Sequence, residues 1–186
     1  MRLFIAIEIP DNIRAGFASL LKEFRAIAPQ VKWVRAENLH VTLKFLGETE
    51  SAKLGALQNV LSGLRSTDPV NLEFRGLGFF PNEKRPRVFW AGMEASANLK
   101  TLAADIDQAV HRLGFPLEDR PFAPHLTLAR FQPPGIPPKL LQAVREKSAQ
   151  AFGSLRTGET HLIESKLKPT GAEYTTVQTF RFATEA

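Results

Sequence analysis

The sequence predicts two small, tightly packed lobes of mixed strands and helices, and three observations carry that prediction. Strand-length apolar runs alternate with helix-length amphipathic stretches along all 186 residues, with no long linker between them. At 44% hydrophobic residues, the chain has enough apolar material for a substantial core. His40-Val41-Thr42-Leu43 recurs 85 residues later as His125-Leu126-Thr127-Leu128, each copy opening a strand-like run. Such an echo points to an ancient duplication, with lobes related by an approximate two-fold axis.

The elements follow in order. Residues 2–9, rich in Ile and Phe, predict a first strand that ends at Pro10. Asp11 is placed to cap a helix of about 15 residues, with Ile13, Phe17, Leu20, Leu21 and Phe24 on one face. Residues 31–34 predict a short strand and 40–46 a longer one. After Gly47 a helix begins near 49–51, burying Leu54, Leu57, Leu61 and Leu64. Strands are predicted at 70–77 and 86–93, joined by a polar turn with a basic tip. A helix through Leu99, Leu102, Ile106, Val110 and Leu113 stops at Gly114. A strand at 125–131, a Pro-rich stretch at 133–138, a helix through Leu140, Leu141 and Val144, and strands at about 159–167 and 173–182 complete the chain.

Composition excludes several classes of chemistry. There is no cysteine, hence no disulfide, thiolate metal site or cysteine nucleophile. Apolar runs such as Leu3 to Ile7 are too short for a transmembrane helix, and Glu8 interrupts the opening run before it could serve as a secretory leader. A soluble, cytoplasmic protein is the expectation. The net charge of +5 tilts toward a polyanionic partner such as nucleic acid, though the 24 Lys and Arg are dispersed. Gly76-Leu77-Gly78 is too short for a dinucleotide fingerprint, and no phosphate-cradling glycine loop of the Walker type is present.

The repeated motif carries the chemistry. Side chains alternate between the faces of a strand, so His40, Thr42 and Lys44 are expected on one face and Val41, Leu43 and Phe45 on the other. His125 and Thr127 likewise oppose Leu126 and Leu128. If the lobes face each other, two imidazoles and two hydroxyls converge on one cleft. Displacement at phosphorus needs attacking and leaving oxygens roughly in line, with a base on one side and an acid on the other. Histidine fills either role near neutral pH. The hydroxyls suit the non-bridging oxygens, where negative charge gathers.

The paired motifs resemble the two-histidine (2H) phosphoesterase superfamily, specifically the RNA 2′,3′-cyclic phosphodiesterases, also called 2′-5′ RNA ligase-like proteins. The likeness covers nearly the whole chain. It includes residues 2–10, Trp33-Val34, 38–47, Phe80-Pro81, 87–90, 120–130, Glu164-Ser165, Gly171 and Tyr174. It implies an α+β, bilobal fold with antiparallel sheets lining a central cleft and helices outside. The whole chain, 1–186, is then one catalytic domain of two interleaved lobes, each giving one motif. The resemblance also implies catalysis without metal or nucleotide cofactor. His40 looks like the proton donor, His125 like the general base, and Thr42 and Thr127 like phosphate ligands. Arg130 matches an arginine of the family's second motif. Strict alternation places it opposite His125, so a substrate contact there requires a bulge or the strand's end; Phe45 holds the equivalent place in the first copy. Lys44, on the predicted His40 face, is a candidate substrate contact.

The expected substrate is RNA ending in a 2′,3′-cyclic phosphate, or a small cyclic nucleotide, opened to a 2′-phosphate. No obligate protein partner is evident. Ligation by the reverse reaction, as with tRNA half-molecules, and non-catalytic binding of RNA ends are the alternatives. His111 reads as an exposed helix residue. His161 reads as a strand residue, or as the third member of a metal site with His40 and His125. Trp33, Trp90 and Tyr174 are either core residues or platforms for a nucleobase.

Overall fold

The computed structural model describes residues 1–66, 68–133 and 135–184; position 134, in the Pro-rich stretch, falls outside the described residues. The strands are β1 (Arg2–Glu8), β2 (Lys32–Trp33), β3 (His40–Glu48), β4 (Val70–Phe80), β5 (Val88–Ala95), β6 (Leu126–Arg130), β7 (Ala151–Thr157), β8 (Glu159–Lys168) and β9 (Gly171–Arg181). The helices are α1 (Asp11–Ile27), α2 (Leu54–Ser62), α3 (Ala97–His111) and α4 (Pro138–Glu146). Two antiparallel sheets result, one ordered β3-β1-β8-β9 and the other β2-β6-β5-β4-β7. Neither sheet comes from a continuous stretch of chain, and each carries one copy of the repeated motif, on β3 and at the start of β6.

The weak alternation of β1 has a simple cause. It is an interior strand buried on both faces: Leu3, Ile5 and Ile7 enter the main core, while Phe4 and Ala6 meet Ile163 and Tyr174 on the other side. The next helix crosses to the second sheet. Phe17 of α1 stacks on Phe152 at 4.3 Å and meets Phe74 edge-on at 6.2 Å, and Phe24 lies 5.9 Å from Phe89. The five apolar residues expected on one face of α1 are the five it buries. Each contributes about 2 kcal/mol of hydrophobic stabilisation. Helix α3 serves the first sheet, where Asp107 reaches Lys44 of β3.

Two local expectations are corrected. Asp11 lies within the first turn of α1, and Pro10 occupies the capping position without a side-chain bond. Strand β7 has no counterpart in the sequence reading. It pairs at the edge with β4, exposes most of its side chains, and is interrupted by Gly153 at φ +121°, so no period-two apolar pattern marks it.

Candidate active site

Both motif histidines are held the same way. His40 Nδ1 lies 2.6 Å from the carbonyl oxygen of Asn38, and His125 Nδ1 lies 2.8 Å from that of Ala123, in each case two residues upstream. A carbonyl oxygen only accepts, so Nδ1 carries the proton in both rings. Each Nε2 is therefore left available for proton transfer. The carbonyl that orients His40 is itself tied down, because Asn38 donates from Nδ2 to Ala172 O at 2.7 Å. Arg14 of α1 clasps the same segment, donating to Ala36 O at 2.8 Å, to Leu39 O at 3.4 Å and to Ile9 O at 3.0 Å.

Matching bulges set which side chains share the histidine face. Along β1, Ile5 pairs with Lys44 and Ala6 with Thr42, which leaves Leu43 as an extra residue in β3. Along β5, Phe89 pairs with Ala129 and Trp90 with Thr127, which leaves Leu128 extra in β6. Each bulge falls on the leucine after the motif threonine, and each inverts the parity beyond it. Arg130 consequently joins His125 and Thr127 on one face. In the first copy Phe45 joins His40 and Thr42, and stands 63% exposed.

The same inversion corrects the expectation for Lys44. It points away from His40 and is buried at 3% exposure. Its ammonium donates to Pro116 O at 2.7 Å and lies 2.7 Å from Asp107 Oδ1 and 3.0 Å from Glu118 Oε1. Burial alone would lower its pKa, but the two carboxylates outweigh that and raise it above 10.5. Lys44 anchors the chain that leads to the second motif and does not share the His40 face.

Aromatic rings surround both imidazoles. His40 lies 4.6 Å from the Phe4 ring and 5.1 Å, edge-on, from Tyr174. His125 stands perpendicular to Phe80 at 5.2 Å, and Phe80 in turn lies 5.3 Å from Trp90. The Trp90 indole lies across Gly78, where an added Cβ would sit 2.3 Å from the ring, so only glycine admits it there. Of the aromatics open to two readings, Trp33 is a core residue: it packs on Phe24 and Phe89 and donates to Ala28 O at 2.8 Å. Trp90 and Tyr174 lie on the histidine faces. Phe4, Phe80, Glu8 and Arg14 are not among the site residues expected from sequence. For Arg14 no local pattern signals it, since its partners are backbone oxygens.

A pocket of about 130 Å³ opens beside His40, lined among others by Glu8, Arg14, Glu37, Tyr174 and Thr176. Burial there lowers the His40 pKa from 6.5 to about 4. The Asn38 hydrogen bond and Glu8 oppose that shift, and the Arg14 charge adds to it. His161 shares this face, 3.1 Å from Thr179 Oγ1 and 3.9 Å from Glu8 Oε1. His111 bonds Phe115 O at the end of α3 and is exposed. Among the described residues, no group of three or more His, Asp or Glu side chains could hold a metal ion, and no helix is long and apolar enough to cross a membrane.

The pKa of His40 yields an expectation for pH dependence. A paired acid and base give a bell-shaped kcat/KM whose limbs belong to the pair in the free enzyme. The acid limb should lie near 4 rather than near 6.5. A bound phosphate anion favours the imidazolium, so the acid limb of kcat should lie above that of kcat/KM. Coincident acid limbs between 6 and 7 in both profiles would contradict a buried, neutral His40.

The description "LigT like Phosphoesterase" belongs to a family model that matches residues 7–90 and 93–174, and each matched span contains one motif. A protein of Methanothermobacter thermautotrophicus named RNA 2′,3′-cyclic phosphodiesterase is 35% identical over 97% of this chain and 98% of its own length. One of the same name from Archaeoglobus fulgidus is 36% identical over 97% and 99%. Among solved structures, a protein of Thermus thermophilus superposes with a TM-score of 0.81 at 32% identity, covering 98% of each chain. The E. coli LigT complex with 3′-AMP superposes with a TM-score of 0.76 at 30% identity, covering 97% of each.

Proposed function

The chain belongs to the LigT-like phosphoesterase family and is an RNA 2′,3′-cyclic phosphodiesterase, and we propose that it opens the cyclic ester to a 2′-phosphate using His125 as base and His40 as acid. The observation that carries this reading is the matched tautomer of the two histidines, each with Nδ1–H on a backbone carbonyl and Nε2 available. Two imidazoles prepared identically on two sheets suit a reaction that needs one proton removed and one delivered. His125 Nε2 takes a proton from water as its oxygen attacks phosphorus. The bond from phosphorus to the 3′-oxygen breaks, and His40 Nε2–H protonates that oxygen. Exchange with solvent then restores both rings.

His40 is neutral in the empty cleft, and the anionic substrate draws the proton it needs by adding negative charge beside it. Thr42 and Thr127 bond the non-bridging oxygens, and Arg130 stands on the same face as His125, beside the substrate. Lys44 has no part in this scheme.

The test is product analysis after incubation with RNA ending in a 2′,3′-cyclic phosphate, with and without EDTA. A 2′-phosphate is expected in both. A 3′-phosphate would overturn the assignment of the leaving oxygen. Loss of turnover in chelator, restored by one divalent ion, would overturn metal independence. Tight binding without turnover would support a non-catalytic RNA-end module instead.

A further inference from the structure

Beyond the histidines, two arginines stand on the histidine faces of the strands, one on each sheet. Arg2 of β1 stands on the rung that runs through Ser165 of β8 to Tyr174 of β9. It shares strand parity with Phe4, whose ring meets both Tyr174 at 5.0 Å and His40 at 4.6 Å. Arg130 approaches from the other sheet, brought to the cleft face by the bulge at Leu128. Burial raises the Tyr174 pKa, and the charges of Arg130 and Arg2, one on each sheet, oppose that shift.

Among the described residues, neither arginine is committed to a carboxylate, so both remain open to an anionic ligand. Several other cations near Tyr174 and His40 are engaged: Arg14 by three carbonyls, Lys44 by two carboxylates, Lys166 by Glu164 and Lys168 by Glu173. Among the described residues, neither Arg2 nor Arg130 has a hydrogen-bonded or ion-paired side-chain partner. An anion bound beside both would be favoured by two like charges that otherwise repel. The Tyr174 O–H, on the same rung as Arg2, adds a donor.

Resting on the phosphodiesterase reading above, we propose that Arg2, Arg130 and Tyr174 form a subsite for the phosphodiester on the 5′ side of the terminal nucleotide. The cyclic phosphate lies between the histidines. Tyr174 contacts both His40 and the rung of Arg2, which makes it the divider between reacting and non-reacting phosphates. The subsite distinguishes the end of an RNA strand from a free cyclic mononucleotide, which lacks that second phosphodiester.

Three substrates test it: a nucleoside 2′,3′-cyclic phosphate, a dinucleotide with the same cyclic end, and that dinucleotide with an uncharged methylphosphonate in its internal linkage. The natural dinucleotide should exceed the other two in kcat/KM by about 10-fold, the scale of one charge-assisted contact at a partly exposed site. In Arg2→Gln that ratio should fall toward one. Its slope of log(kcat/KM) against log salt for the dinucleotide should become shallower by about 0.7. Equal kcat/KM for the charged and methylphosphonate dinucleotides would overturn the subsite while leaving the phosphodiesterase intact. An unchanged ratio in a folded Arg2→Gln would do the same. No turnover of any of the three would overturn the phosphodiesterase reading itself, and the subsite with it.

Discussion

His40→Ala should lose roughly 10²–10⁴-fold in kcat/KM on an RNA cyclic end and regain most of it when sulfur replaces the 3′-oxygen of the substrate. A ribose alkoxide is strongly basic, so the bond to it breaks only as a proton arrives. A thiolate leaves without that help. Removing the acid then matters little, whereas removing the base still matters, because water is the nucleophile in both cases. His125→Ala is therefore expected to be impaired on both substrates. The opposite pattern of rescue would exchange the two roles, and rescue of neither variant would assign both rings to something other than proton transfer. The geometry is nearly symmetrical, with Nδ1 of each ring on the carbonyl two residues upstream. What differs is the surroundings. Burial against Phe4 and Tyr174 holds His40 neutral without substrate, at a pKa of about 4. Under the proposed roles, a loaded phosphate raises that value and couples the acid's readiness to substrate binding.

Thr42→Ala and Thr127→Ala should each cost on the order of 10²-fold or more in rate while leaving the fold intact. Both hydroxyls share a face with a motif histidine, on strands whose opposite faces bury Val41, Leu126 and Leu128 completely. The apolar side of each strand supplies stability, and the polar side is free to meet a ligand. Neither threonine hydroxyl has a hydrogen-bond partner among the described residues, so replacing it strands no partner in the protein. The measurement is single-turnover kinetics beside a thermal melt. Near-normal turnover in either variant would show that its hydroxyl does not hold a phosphate oxygen. A large fall in melting temperature would assign it a packing role.

Much of this protein was legible in one dimension. Leucines and phenylalanines at helical spacing marked α1 to α4, because an amphipathic face is a local pattern. The paired His-x-Thr-Leu marked both catalytic candidates, because each motif is contiguous. The antiparallel α+β architecture followed from the family resemblance, and the Thermus thermophilus structure superposes on it over 98% of each chain. Strand β7 was not legible, because an exposed edge strand broken by a left-handed glycine has no apolar period to detect.

The faces of the strands emerged with the sheets themselves. Strict alternation put Lys44 in the cleft and Arg130 outside it. A single extra residue at Leu43 and another at Leu128 reversed both placements. Parity along a strand is a count, and one bulge changes it for every residue beyond. Whether a bulge forms depends on the partner strand's register, which no local sequence pattern records. The distinction between Trp33 and Trp90, and the clasp of Arg14 on the segment that orients His40, depend likewise on partners distant in sequence. Local sequence supplied the candidates for proton transfer and phosphate binding, because each motif is contiguous; packing between elements decided which strand faces carry them and, by burying His40, pushed its pKa down to about 4.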